Sequence, residues 1–119
     1  MTGLLISLQP MAYDEELADR IRSVISDRDY VVEKKMFGGL AFLVGGNMAV
    51  AASGQGGLLL RCDPTESEDH IVDGAEPMIM RGKAMAGWLR VSDEQVASAP
   101  DLRRWVAIGT SYAASLPAK

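Results

Sequence analysis

Residues 36–50 read MFGGLAFLVGGNMAV, two glycine pairs bracketing a short apolar run, with a methionine near each end. A phosphate-cradling loop would need a glycine, four residues, then Gly-Lys-Ser/Thr between a strand and a helix. Backbone amides, the lysine and the helix terminus would then converge on one phosphate. No lysine follows these glycines, and both flanks read as strands. Glycine also supplies the positive φ that tight hairpin turns require. The segment is therefore a turn into a β-hairpin. Gly54-Gln55-Gly56-Gly57 lacks Gly-x-Gly-x-x-Gly spacing and leads into the apolar LLLRC, so it too is turn chemistry.

Outward from this hairpin the pattern stays β-like from Val31 to Cys62. VVEKKM, LAFLV, NMAVAA and LLLRC make four strands, cut by glycines at 38–39, at 45–46 and at 54–57. Such short connections make the strands antiparallel neighbours, because parallel pairing needs a long crossover. Before them, residues 14–28 carry Leu17, Ile21, Val24 and Ile25 at helical spacing, with Asp14 as cap and Glu15 and Glu16 in the first turn. After them, Asp63-Pro64 opens a short acidic helix that ends at Gly74. EPMIM and GWLRV form a second hairpin through Arg81-Gly82-Lys83, and a turn of helix follows Ser92. A final helix runs from Asp101 to Pro117, with Leu102, Trp105, Val106, Ile108, Tyr112 and Leu116 on its apolar side. The order α-β4-α-β2-α predicts an α+β, two-layer fold with helices against an antiparallel sheet.

The central strands have no polar face. Leu40, Phe42 and Val44 point one way while Ala41 and Leu43 point the other; Met48, Val50 and Ala52 oppose Ala49 and Ala51. A sheet with one solvated face should alternate apolar and polar residues. Either the three helices cover both faces of so small a sheet, or a face rich in alanine and leucine is left for a partner chain. A second copy of this one is the expectation, with Ala41 or Ala49, whichever is exposed in the monomer, in the contact.

The 119 residues suit a domain with one core, and 48 % apolar with 24 % charged residues is the balance of a soluble globular chain. A net charge of −4 gives no overall attraction to nucleic acid or anionic membrane, and no run reaches the roughly 20 apolar residues of a membrane helix. A single cysteine, Cys62, cannot form an internal disulfide, and one histidine, His70, leaves little scope for a metal, so a reducing cytoplasm is the expected setting. Residues 1–10 read as a loosely ordered N-terminal extension and residues 11–119 as the domain.

Candidate chemistry is sparse. Nucleophilic catalysis would need Cys62, or a serine, activated by a base, and the only histidine is His70. A lone cysteine late in an apolar strand is ordinarily a small buried side chain, and His70, preceded by Glu68 and Asp69, reads as a solvated residue. Six acids and no lysine or arginine lie from Asp63 to Glu76, a charged surface suited to a basic partner. Lys34, Lys35, Arg61, Arg81, Lys83 and Arg90 fall in strands or turns, where basic side chains guard sheet edges. Without an aromatic platform or recognition helix beside them, direct nucleic-acid binding is not expected.

The blocks AYDEELADRIR, KKMFGGLAFLVGGNMAV, LLLRCDP, MRGKAMAGWLRV and WVAIGTSYAASLP, in this order, resemble the N-terminal domain of the TfoX/Sxy family, bacterial regulators of natural competence. The resemblance implies a fold similar to type III secretion chaperones, no enzymatic activity, no cofactor and no catalytic residues. Full-length members of the family act in transcription alongside the cyclic-AMP receptor protein. Full-length members add a C-terminal helical domain, and this sequence stops at Lys119, so it is read as the stand-alone N-terminal domain. The expectation is a non-enzymatic interaction module, a homodimer that touches a transcription-machinery protein. Its contact residues would be Met36, Phe37, Gly38, Gly39, Ala41, Ala49, Met85, Gly87 and Trp88. The alternative is a small-molecule binder or enzyme with Cys62 or His70 in a pocket between helix and sheet.

Overall fold

The computed structural model describes residues 13–36 and 38–119; the N-terminal extension and Phe37 lie outside the described residues. Helix α1 (Glu15–Val24) starts where Asp14 caps it, its Oδ1 accepting from the amides of Glu16 at 2.9 Å and Leu17 at 3.2 Å. Four strands follow: β1 (Val31–Met36), β2 (Gly39–Val44), β3 (Asn47–Ala52) and β4 (Leu58–Arg61). Asp63 caps a 3₁₀ turn over Pro64–Glu66, which runs into α2 (Ser67–Val72). The amide and hydroxyl of Thr65 both donate to the Asp63 carboxyl and hold it below its ordinary pKa. Then come β5 (Glu76–Met80), β6 (Lys83–Val91), a 3₁₀ turn over Glu94–Val96 and α3 (Ala99–Ser115). Helix α3 begins two residues earlier than the sequence reading, because Ser98 is the cap, its Oγ accepting from the Asp101 amide at 3.2 Å, and Pro100 fits the first turn.

The strands form one sheet in the order β1-β2-β3-β4-β6-β5, with every neighbouring pair antiparallel. The fold is α+β, as the element order implied. The described helices all pack on one face. There Leu17, Ala18 and Ile21 of α1 and Leu102, Trp105 and Val106 of α3 meet Leu40, Phe42, Val50, Leu58, Leu60, Leu89 and Val91. Burying an apolar side chain of this size stabilises by about 1.5–3 kcal/mol, so this core dominates the energetics. Gly109 lets α3 lie close to β3: a Cβ there would stand 2.5 Å from the Ala49 carbonyl oxygen and 2.7 Å from a Val50 methyl. Arg20 ties α1 to the turn before α3 through the carbonyls of Val96 at 2.7 Å and Ala97 at 3.1 Å.

Strict alternation holds along β2 but fails in β3. Phe42 pairs with Val50 and Leu43 with Met48, so Ala49 is the extra residue of a β-bulge. The bulge puts Met48 on the same face as Ala51 and sends Ala49 to the helix side with Val44 and Ala113. Simple alternation would place Met48 with Val50, and Ala49 with Ala51.

Candidate interaction surface

The face away from the helices carries a second apolar cluster. Ala41, Met48, Ala51 and Leu59 form its floor, and the longer Met36, Leu43, Met78 and Trp88 pack against them. Ala41 and Ala49 are both fully buried, so neither is the exposed contact residue that the two-sided apolar pattern suggested. Small side chains let their larger neighbours close over Ala41, and α3 covers Ala49 at Gly109 and Ala113.

The other candidate residues fall into two groups. Met36 and Trp88, far apart in sequence, converge on this cluster and are half-buried. Gly38, at φ +72°, is exposed with nothing near it and serves the β1–β2 turn. Gly39 is buried, where a side chain would collide with the Ala52 carbonyl. Gly87 is also buried, and its role is architectural: its carbonyl accepts from the Cys62 amide at 2.8 Å and its amide donates to Ser67 Oγ at 3.1 Å. Its φ of +84° and the closeness of the Cys62 carbonyl and the Pro64 ring admit only glycine without strain.

Gly87 also marks where β6 leaves the body of the sheet. Strand β6 pairs with β4 only over Trp88–Val91, whereas its first half pairs with β5 alone, through Ile79–Ala84 and Met80–Lys83. The hairpin from Ile79 to Ala86 is therefore a two-stranded arm, closed by Arg81 at φ +55° and Gly82 at φ +80°. Ile79 is 58 % exposed, Met80 37 % and Met85 36 %. An isolated two-stranded ribbon is marginal in water, and large apolar side chains on one mark a contact surface.

At the arm's base the Arg61 guanidinium lies 5.4 Å from the Trp88 ring centre and 5.6 Å from that of Tyr112 on α3. Arg, Trp and Tyr are the residue types enriched among the energetic centres of protein interfaces. Tyr112 and the arm's Ile79 and Met80 lie outside the contact set expected from the sequence. No local signal joins Tyr112 to Arg61, since 50 intervening residues separate them on the chain. The unalternating Met-Ile-Met before a tight turn was the available clue to the arm.

Among the described residues no hydrogen bond joins Cys62 to His70. Cys62 is fully buried, its Sγ 3.7 Å from Ser67 Oγ, and burial pushes its thiol above the ordinary value, opposite to the activation a nucleophile needs. His70 is not the solvated residue expected from its acidic neighbours. Its ring stands edge-on to Trp105, with centroids 6.2 Å apart, and Nε2 is 3.7 Å from the Glu66 carboxylate. A groove of about 690 Å³ opens elsewhere, between the start of β1 and the end of α3, lined by Tyr30, Val32, Val44, Ala113 and Leu116 among others, and by neither Cys62 nor His70. Among the described residues no group of three or more His, Cys, Asp or Glu side chains is placed to hold a metal, and no helix is long and apolar enough to cross a membrane.

A comparison with protein families matches residues 23–113 to the TfoX N-terminal domain, a span from within α1 to the last turns of α3. The chain belongs to the TfoX N-terminal domain family. That span holds the whole sheet, the arm and the Arg61–Trp88–Tyr112 group of this TfoX N-terminal domain. The family is associated with competence regulation. No curated protein matches the chain.

Proposed function

We propose that this TfoX N-terminal domain is a non-enzymatic protein-interaction module of the cytoplasm, which self-associates as a homodimer and serves transcription or competence regulation through protein contacts. The carrying observation is the projecting β5–β6 arm, whose Ile79, Met80 and Met85 stay in water although each is large and apolar. Covering what is still exposed would contribute about 1–2 kcal/mol at Ile79 and about 0.5–1 kcal/mol at each methionine, a gain that only another surface supplies. The Arg61, Trp88 and Tyr112 side chains at its base support the same reading, as does the family's association with regulation.

The test is sedimentation velocity over a concentration series reaching high micromolar, with wild type beside the double variant Ile79→Asp, Met85→Asp. Wild type is expected to sediment as a dimer and the variant as a monomer with unchanged circular dichroism. A wild type that stays monomeric throughout the series refutes the homodimer.

A further inference from the structure

The arm and helix α2 carry opposite charge and lie at the same end of the molecule. From Pro77 to Leu89 the arm and its base have no acidic residue, and Arg81 and Lys83 stand at the tip. From Glu66 to Glu76 there is no lysine or arginine, and Glu68, Asp69 and Asp73 are exposed around Val72, itself 85 % exposed. Helix α2 is joined to the arm's base by the Gly87 amide on Ser67 Oγ. Within one chain the two charge sets leave each other alone: among the described residues no ion pair uses Arg81, Lys83, Glu68, Asp69 or Asp73. Each surface also carries exposed apolar side chains beside its charge, Val72 on α2 and Ile79, Met80 and Met85 on the arm.

From this complementarity we infer that the β5–β6 arm of one copy seats against α2 of a second copy, Arg81 and Lys83 facing Glu68, Asp69 and Asp73 around Val72. A twofold axis beside this end makes the contact twice, because each chain presents both halves. The inference rests on the interaction-module reading and adds to it the identity and orientation of the partner. A polyanion is a poorer occupant, since the acidic α2 flanks the arm and the chain is negative overall.

The experiment is a charge swap followed by sedimentation velocity. The variants Arg81→Glu, Lys83→Glu and Glu68→Lys, Asp69→Lys change only exposed side chains, so both are expected to fold, as circular dichroism would verify. Each alone sets like charges against like and is expected to raise the dissociation constant about thirtyfold or more. Mixed in equal amounts, the two variants restore both contacts and are expected to form a heterodimer, weakened by salt. If wild type dimerises but the mixture stays monomeric, the arm-to-α2 pairing is wrong while the interaction module stands. If wild type never dimerises, both fall. Should the arm variant keep wild-type dimerisation and instead lose retention on a DNA column, the arm serves nucleic acid and the inference is overturned.

Discussion

Replacing Gly109 with alanine sets two effects against each other, and the structure decides the sign. Alanine in a helix interior is favoured over glycine by about 1 kcal/mol, so on propensity alone Gly109→Ala stabilises. At this position, however, the new methyl would stand 2.5 Å from the Ala49 carbonyl oxygen and 2.7 Å from Val50 Cγ1, where real Cβ contacts stay beyond 3.0 Å. The obstacle is partly backbone, held in the β2–β3 pairing, so α3 must retreat. A gap of about 0.5–1 Å forfeits roughly a quarter to a half of each dispersion contact it opens, and Trp105, Val106 and Ala113 all sit on the retreating side. Overpacking of this kind costs about 1–3 kcal/mol, and more where backbone is in the way. Because the Ala49 obstacle is backbone, the upper part of that range, about 2–3 kcal/mol, applies. After the propensity gain of about 1 kcal/mol, a net loss of about 1–2 kcal/mol remains, a fall of about 4–8 °C in melting temperature. Urea unfolding followed by far-ultraviolet circular dichroism measures it, with Ala107→Gly on the exposed side of α3 as a control that should lose only about 1 kcal/mol. If Gly109→Ala is as stable as wild type or more so, the close crossing of α3 over β3 is wrong.

Three further outcomes can be checked. Cys62, buried and raised above the ordinary thiol value of 9.0, is expected to react with a thiol reagent near neutral pH only through unfolding. The unfolded thiol gives up its proton first, so stability is full below pH 9.0 and falls as the pH climbs above it; rapid labelling of folded protein would contradict this. Arg61→Ala removes a guanidinium shared by Trp88 and Tyr112 and is expected to cost about 1 kcal/mol in urea unfolding, whereas a loss below the error would mean that the rings hold it only loosely. Arg81→Asn puts the preferred residue at a left-handed turn position and is expected to gain about 0.5–1 kcal/mol in thermal melting while weakening dimerisation, and equal melting would show that the turn is unstrained.

Much of the architecture was legible because local chemistry and global fold agree. The apolar spacing of Leu17 and Ile21, the Asp14 and Asp63 caps and the glycines at 38–39 and 45–46 each announce a helix start or a hairpin, and the structure uses them so. The surface was less legible. Alternation along NMAVAA assigns faces correctly only if no residue is inserted, and the bulge at Ala49 reverses that assignment for part of the strand. Gly87, which the sequence places among the expected contact residues, is the point where β6 is bonded to Cys62 and Ser67.

The sequence by itself determined the order of elements, the antiparallel pairing and the family, because spacing, caps and turn glycines act over a few residues. Only the tertiary structure decided that the described helices share one face, that Ala41 and Ala49 are buried on opposite sides, and that Arg61 meets Tyr112. These depend on where chain segments distant in sequence come to rest, and that is set by the packing of the whole core rather than by any local pattern.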